Sequence, residues 1–506
     1  MYAKVLSMTI CGIDGLPVTV EVDVSSGLPD FSLVGDLSPE TREARERVRT
    51  SLRNSGFSFP SKRITINLAP GDLRKEGTGF DLAIAVGMLA AYEEIEPKSF
   101  EGIVMLGELS LDGRICSIPG VLPMVIAAQQ LGYSACFVPQ ANAAEAAVVA
   151  GMKVTGVETL TEVCAILKGL VQKDPAHPAS SVIDELYDVD FSEVNGQKSM
   201  RRAAEVAAAG MHNILLIGSP GAGKTMIARR LPTILPDLTW NESLEVTRIY
   251  SVSGLVDPNN PVKRQRPFRT PHHTISAPAL IGGGKRPMPG EVSLADRGIL
   301  FLDELPEFQK SSLEALRQPL EDKLVSVVRV TGRSVFPADF MLCAAMNPCR
   351  CGYYPDRDKC HCSEGEVRKY MQRISRPLLD RIDITVEAPP VKYSDLDSEE
   401  VNESSADIKA RVKKAWEIQQ KRYEGQKTLF NSQMSARQIK KWCRLTPSDE
   451  KLMADVYAKM NLSARGYHKI LKVSRTIADL AGSEDICTEH LMEALSYRSV
   501  DKKFWG

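Results

Sequence analysis

The chain has 506 residues, a formal net charge of −1 and 43% apolar residues. This length suggests roughly two to four domains with real cores. Near-cancelling charges exclude a global pull toward nucleic acid, so any polyanion site must be a local patch.

No continuous apolar run is long enough to span a bilayer, so no membrane partner is expected. The start, Met1-Tyr-Ala-Lys-Val-Leu-Ser7, is broken by polar residues and does not read as a secretory signal. The 11 cysteines show no disulfide framework. They point to reduced thiols in a cytoplasmic setting. Residues 1–171 carry Val/Ile-rich strands and Ala-rich helices. Residues 172–189 have the Pro/Ser composition of a linker. A nucleotide domain is predicted over 190–393 and a helical domain over 394–506. The clearest helices of the latter are Ser404–Lys421, Ser435–Leu445, Pro447–Met460 and Ala464–Leu480. Thr446 and Pro447 suit the cap and first turn of the third.

The nucleotide domain announces itself at an apolar run, Asn213 to Ile217, followed by Gly218, Ser219, Pro220, Gly221, Ala222, Gly223, Lys224 and Thr225. A helical pattern begins at Met226. Strand, glycine loop and helix, in that order, form a phosphate-binding loop. The glycines let backbone N–H groups turn inward around a phosphate. Lys224 reaches the β/γ-phosphates, and Thr225 holds Mg²⁺. The helix start adds its positive dipole end. Downstream, Gly298 to Leu302 is an apolar strand ending in Asp303 and Glu304. Asp303 is the expected second Mg²⁺ ligand. Glu304 is the expected polariser of the attacking water. A nucleoside triphosphatase that uses Mg²⁺ is therefore expected.

Further parts follow in order. Arg248–Arg286 contains Lys263, Arg264, Arg266, Arg269, His272 and His273, with Phe268 available to stack on a base. Lys323–Val335 alternates around a central Thr-Gly and reads as a β-hairpin carrying Arg329 and Arg333. As a set, these cations suit contact with a phosphate backbone; singly, each could solvate a surface loop. Phe340–Met346 reads as a buried strand ending at Asn347, a residue placed to sense the γ-phosphate. Cys349-Arg-Cys351 and Cys360-His-Cys362 are separated by eight residues. Four thiolates complete a tetrahedral Zn²⁺ shell, with free thiols or a disulfide as the alternatives. Arg381, in Leu378-Leu-Asp-Arg-Ile-Asp383, is a candidate to reach a neighbouring subunit's nucleotide. Arg465, opening a helix, is a candidate to close over the phosphates. A surface ion pair is the alternative for each arginine.

These residues, with Arg269–Ser276, Leu280–Gly284, Asn347–Tyr354 and Leu471–Leu480, resemble the bacterial magnesium-chelatase-like AAA+ ATPases of the YifB/ComM family. The resemblance implies a multidomain α/β protein. Its parts are an N-terminal α+β domain like the Lon protease and ribosomal S5 fold, a central P-loop AAA+ domain and a C-terminal helical lid. It also implies a homohexameric motor, with the insertions facing a central pore. DNA branch migration in recombination and natural transformation is the implied role, on single-stranded or branched DNA. In the Lon-like alignment Gly79 stands where the nucleophilic serine belongs and Leu122 where its lysine partner belongs. A Ser–Lys dyad needs both groups, so a non-proteolytic scaffold or nucleic-acid platform is expected. Asp81 is expected to be a structural helix-start charge. A motor that remodels a protein, or drives metal insertion as a chelatase subunit, is the other reading.

Overall fold

A computed structural model describes residues 1–59, 61–178, 187–284, 287–329, 332–390, 402–460 and 462–505. Much of the expected linker, 179–186, lies outside the described residues, as does 391–401.

The first domain is built on strands β1 (Tyr2–Cys11), β2 (Asp14–Ser25), β3 (Asp30–Val34), β4 (Arg63–Ala69), β5 (Ile103–Met105), β6 (Glu108–Leu109), β7 (Ile115–Cys116), β8 (Ala135–Pro139) and β9 (Lys153–Val157). Seven of them form one mixed sheet, ordered β3-β4-β2-β1-β5-β8-β9. β1 and β2 are a hairpin paired from Tyr2 with Asp23 to Cys11 with Asp14. Val18, Val20, Val22 and Val24 alternate onto the buried face of β2, opposite Ile64, Ile66 and Leu68 of β4. That period of two lets each strand bury one face. The helix Asp81–Ala91 is buried along its whole length, which is why its sequence is apolar all round. Gly87 lets it approach the sheet: a Cβ there would stand 2.8 Å from Val22 Cγ2.

The second domain holds β10 (Ile214–Gly218), β11 (Phe268–Arg269), β12 (Gly282–Gly283), β13 (Met288–Pro289), β14 (Ile299–Leu302), β15 (Leu324–Arg329), β16 (Gly332–Pro337), β17 (Met341–Met346) and β18 (Ile384–Ala388). Five run parallel in the order β11-β14-β17-β10-β18. β10, β14 and β17 are buried at every position, as continuous apolar strands covered on both faces should be. β12 and β13 form a small ribbon, and β15 and β16 form the expected hairpin, with Val327 opposite Ser334.

The third part is helical: Ser405–Arg422, Ala436–Trp442, Pro447–Met460, Ala464–Leu480 and Thr488–Trp505. Thr446 Oγ1 accepts from Asp449 N at 3.3 Å and caps the third helix. This part packs directly on the helix Lys198–Gly210, where Trp416 Nε1 donates to Ala208 O at 3.0 Å and Gln419 Nε2 to Ala209 O at 2.7 Å.

The first two domains are also joined. Gly120 N donates to Ser251 O at 2.8 Å, and the buried Glu145 accepts from Leu122 N and from Ser251 Oγ. Arg248 Nη2 reaches Ile13 O at 3.0 Å. A Cβ on Gly12 would meet Val335 O at 3.1 Å, so the β1–β2 turn leans on the β15–β16 hairpin. No helix among the described residues is long and apolar enough to cross a membrane.

Candidate active site

The glycine loop follows the C-terminal end of β10. Gly218 is dictated by packing, since a Cβ would lie 2.6 Å from Ala388 Cβ on β18. Gly221 and Gly223 are left-handed, at φ +77° and +79°, a conformation that costs glycine little. The helix Lys224–Ile234 starts at once. Lys224 Nζ turns back and donates to Gly218 O at 2.7 Å, Ser219 O at 2.9 Å and Asn347 Oδ1 at 3.1 Å. Burial lowers its pKa, against the attraction of Asp303. The sheet order accounts for the contact with Asn347, because β17 lies between β10 and β14.

β14 delivers the acids. Thr225 Oγ1 donates to Asp303 Oδ2 at 2.9 Å, while Asp303 Oδ1 accepts from Glu304 N at 2.9 Å. Glu304 has φ +52°, a strained conformation for a residue with a side chain. Its side chain is exposed and lies 3.4 Å from His273 Nδ1. His273 belonged to the basic set expected to meet a polyanion. It stands instead beside the candidate water-polarising carboxylate. No local signal links residues 31 apart in sequence.

Arg381 and Arg465 meet at the other end of the sheet. Asn213, immediately before β10, donates through Nδ2 to Arg381 O at 2.8 Å. β10 rises about 3.3 Å per residue, so roughly 13 Å of strand separates Arg381 from the phosphate loop. Arg381 donates to Pro377 O at 2.6 Å and pairs with Glu321. Its Nε is buried without a hydrogen-bond partner among the described residues. Arg465 Nη2 lies 3.8 Å from the same Glu321. Both arginines line a cavity of about 710 Å³ with Lys323, Lys427, Lys469 and Lys472. None of Lys224, Thr225 and Asp303 lines it. Arg465 therefore does not close over the phosphates of its own chain. The helix Ala464–Leu480 is tied to the far edge, where Lys469 Nζ donates to Ile382 O at 2.7 Å.

Several expected polyanion contacts are corrected. Arg266 is buried. It donates to Pro236 O and Arg297 O at 2.6 Å each and packs 4.9 Å over the Trp416 ring. Arg269 makes a two-pronged bond with Glu291 at 2.7 and 2.8 Å. Phe268 is not free for a base, since it stacks on Phe301 with centroids 5.9 Å apart. Lys263 is half-buried, its Nζ 5.3 Å from the Tyr250 ring centre. Arg264 is exposed. Arg333 is exposed on the hairpin and donates to Ser326 Oγ at 2.8 Å. Lys285, Arg286 and the Arg329 side chain lie outside the described residues.

Cys349, Cys351, Cys360 and Cys362 converge, with all four sulfurs within 4.8 Å of one another. Cys349 Sγ lies 3.3 Å from Cys351 Sγ and 3.7 Å from Cys360 Sγ. These separations are far beyond a disulfide bond. They approach the edge of about 3.8 Å that four Zn–S bonds near 2.3 Å require. Gly352 N and Tyr354 N donate to Cys349 Sγ at 3.3 and 3.4 Å. The set fits a tetrahedral Zn²⁺ with no open position.

In the first domain Gly79 faces Ile118, whose Cδ1 would lie 3.0 Å from a Cβ. Leu122 is fully buried. Neither position can supply a hydroxyl or an amine. Asp81 is more than a helix-start charge. It is fully buried, gripped by Arg47 at 2.7 and 3.0 Å and by Leu109 N at 3.2 Å. Burial still pushes its carboxyl up to about 6 despite Arg47.

Three family profiles cover most of the chain. "Subunit ChlI of Mg-chelatase" matches residues 20–142, "Magnesium chelatase, subunit ChlI" matches 190–396, and the ChlI C-terminal profile matches 402–498. The competence protein ComM of Haemophilus influenzae is 41% identical over 508 residues, covering 98% of this chain and 97% of its own. The uncharacterized protein YifB of Salmonella typhimurium is 42% identical, covering 97% and 96%. A Lon protease of Mycolicibacterium smegmatis is 26% identical over 182 residues, 34% of this chain and 23% of that one. With a phosphate loop, a paired acid strand and kinship along nearly its whole length, the chain belongs to the ComM/YifB family of magnesium-chelatase-like AAA+ ATPases.

Proposed function

We propose that this protein is an ATP-driven ring motor acting on branched or single-stranded DNA. One observation carries the reading. The groups suited to hold a nucleotide sit at one end of β10, and the two arginines suited to complete the site sit at the other. A protomer cannot bring both to one phosphate. A neighbour stacked head to tail can, and repetition of that contact closes a ring, with six members in the related motors.

Each residue has a role in such a site. Lys224 exchanges its carbonyl contacts for the β/γ-phosphates. Thr225 and Asp303, already joined, hold Mg²⁺. When bound there, the ion would supply positive charge against the phosphates. Glu304 accepts a proton from the attacking water and His273 orients it. Asn347 hydrogen-bonds the γ-phosphate. Arg381 leaves Glu321 and offers its unpaired Nε to the neighbour's transition state, with Arg465 beside it. Zn²⁺ would be held by Cys349, Cys351, Cys360 and Cys362 in a structural capacity.

The β15–β16 hairpin, with exposed Val328 and Arg333, is the element suited to follow a phosphate backbone. Kinship with a competence protein supports DNA as the substrate and natural transformation as the setting; branch migration is the reaction proposed for the ring. The test is steady-state ATP hydrolysis with a four-way DNA junction, compared with an unfolded protein, alongside light-scattering mass with nucleotide bound. Junction DNA should stimulate turnover by a ring. A monomer whose rate ignores DNA and answers to unfolded protein would refute the proposal.

A further inference from the structure

The cysteine knuckle is wedged against the phosphate loop. β17 ends at Met346, and Asn347, the partner of Lys224, leads through Pro348 into Cys349. Three residues on, Gly352 lies against Pro220 in the glycine loop. A Cβ at Gly352 would stand 2.5 Å from Pro220 Cδ and 2.7 Å from Pro220 Cγ. Gly352 also has φ +91°, which favours glycine. The knuckle's outer side meets the last helix, where the Tyr354 and Phe504 rings are 6.4 Å apart. Trp505 Nε1 donates to Met371 O at 3.2 Å nearby.

The loop between the cysteine pairs is short and polar and has little core of its own. The four sulfurs converge at its base. A segment of this kind is ordered by its metal.

We propose that metal occupancy of the four-cysteine site sets the affinity of the phosphate loop for nucleotide. This rests on the reading of that loop as an ATP site. The metal-held knuckle fixes the wall against which Pro220 sits, and it fixes the exit of the chain from Asn347. Gly352 and Pro220 are positioning residues. Loss of the ion frees the wall, and the loop no longer presents its N–H groups convergently. The protein is then a zinc-dependent ATPase whose ion never touches the substrate.

The test uses the full-length protein and Zn²⁺ itself. Metal content is measured by mass spectrometry and nucleotide affinity by a fluorescent ATP analogue, with circular dichroism recording the fold. One zinc per chain is expected. Stripping with a chelator should weaken nucleotide binding by at least about tenfold while helix content persists, and added Zn²⁺ should restore it. Equal affinity with and without zinc overturns the coupling alone. Zinc-loaded protein that binds no nucleotide overturns the ATPase reading and the coupling with it.

Should the stripped protein unfold, Gly352→Ala carries the test, because it keeps all four thiols. It should retain zinc and raise KM for ATP by about tenfold with kcat little changed. Pro220→Ala removes the atoms the new methyl would strike. The double variant should therefore regain part of the lost affinity, the strain of a side chain at φ +91° remaining. An unchanged KM, or no recovery in the double variant, rules the coupling out.

Discussion

Lys224 Nζ lies 3.1 Å from Asn347 Oδ1, so the phosphate loop and the end of the neighbouring strand already touch. The amide is thus positioned where a terminal phosphate would compete for the same ammonium. Replacing Asn347 by Ala should leave nucleotide affinity within a few-fold and slow hydrolysis by roughly 10²-fold, the usual cost of one lost transition-state hydrogen bond. Equilibrium binding and single-turnover hydrolysis measure the two effects separately. A variant that loses affinity but hydrolyses normally would contradict the assignment.

The opposed placement of Lys224 and Arg381 predicts complementation. Lys224→Ala and Arg381→Ala should each be inactive as pure proteins, with the fold intact. In a randomly mixed ring, about one interface in four joins an intact Lys224 to an intact Arg381. Mixing should therefore restore about a quarter of wild-type turnover. No recovery on mixing, or wild-type turnover from Arg381→Ala alone, would remove the shared site.

Asp296 gives a pH prediction. It precedes β14 and is buried; Oδ1 accepts from Asp339 N at 2.7 Å, while Oδ2 has no hydrogen-bond partner among the described residues. Burial, reinforced by Glu245 and opposed by Arg297, pushes its carboxyl up to about 8. Between the ordinary carboxylate range and that value, the folded state keeps a proton that the unfolded chain has lost. Stability therefore falls as pH rises through this window. Asp296→Asn should flatten the fall between about pH 6 and about pH 8.5, read by urea unfolding. Equal slopes for the variant and the wild type would refute it.

Arg333 and Arg266 should behave oppositely. Arg333 is exposed on the hairpin, so Arg333→Ala should spare basal ATPase. It should weaken DNA stimulation and lower the salt slope of DNA binding by about one unit. Arg266→Ala leaves Pro236 O and Arg297 O without their donor in a buried place. That variant should lose about 2–4 kcal/mol of stability. Thermal unfolding and salt titration distinguish them; a destabilised Arg333→Ala or a thermally unchanged Arg266→Ala would reverse the reading.

Much of the site was legible because its geometry is local. The glycines, Lys224 and Thr225 form one turn. The helices Pro447–Met460 and Ala464–Leu480 span the residues their periodicity predicts, the first starting after its Thr446 cap. The four cysteines lie within one short loop. What stayed hidden depends on which distant surfaces meet. Arg266 looks like its basic neighbours until its side chain is traced inward to Trp416, 150 residues on. Arg465 opens its helix as expected, but nothing in that helix says which edge of the sheet will receive it. The last helix, Thr488–Trp505, was missed. Its apolar residues face two bodies and leave no single stripe to read.

The contacts between the first domain and the nucleotide domain, Gly120 on Ser251, Arg248 on Ile13 and Gly12 against Val335 among them, fasten the amino-terminal third to the nucleotide domain. A tilt of the β15–β16 hairpin would press on the first domain through Gly12. A fluorescent reporter on the first domain would therefore register movement of the hairpin without occupying the candidate nucleotide site.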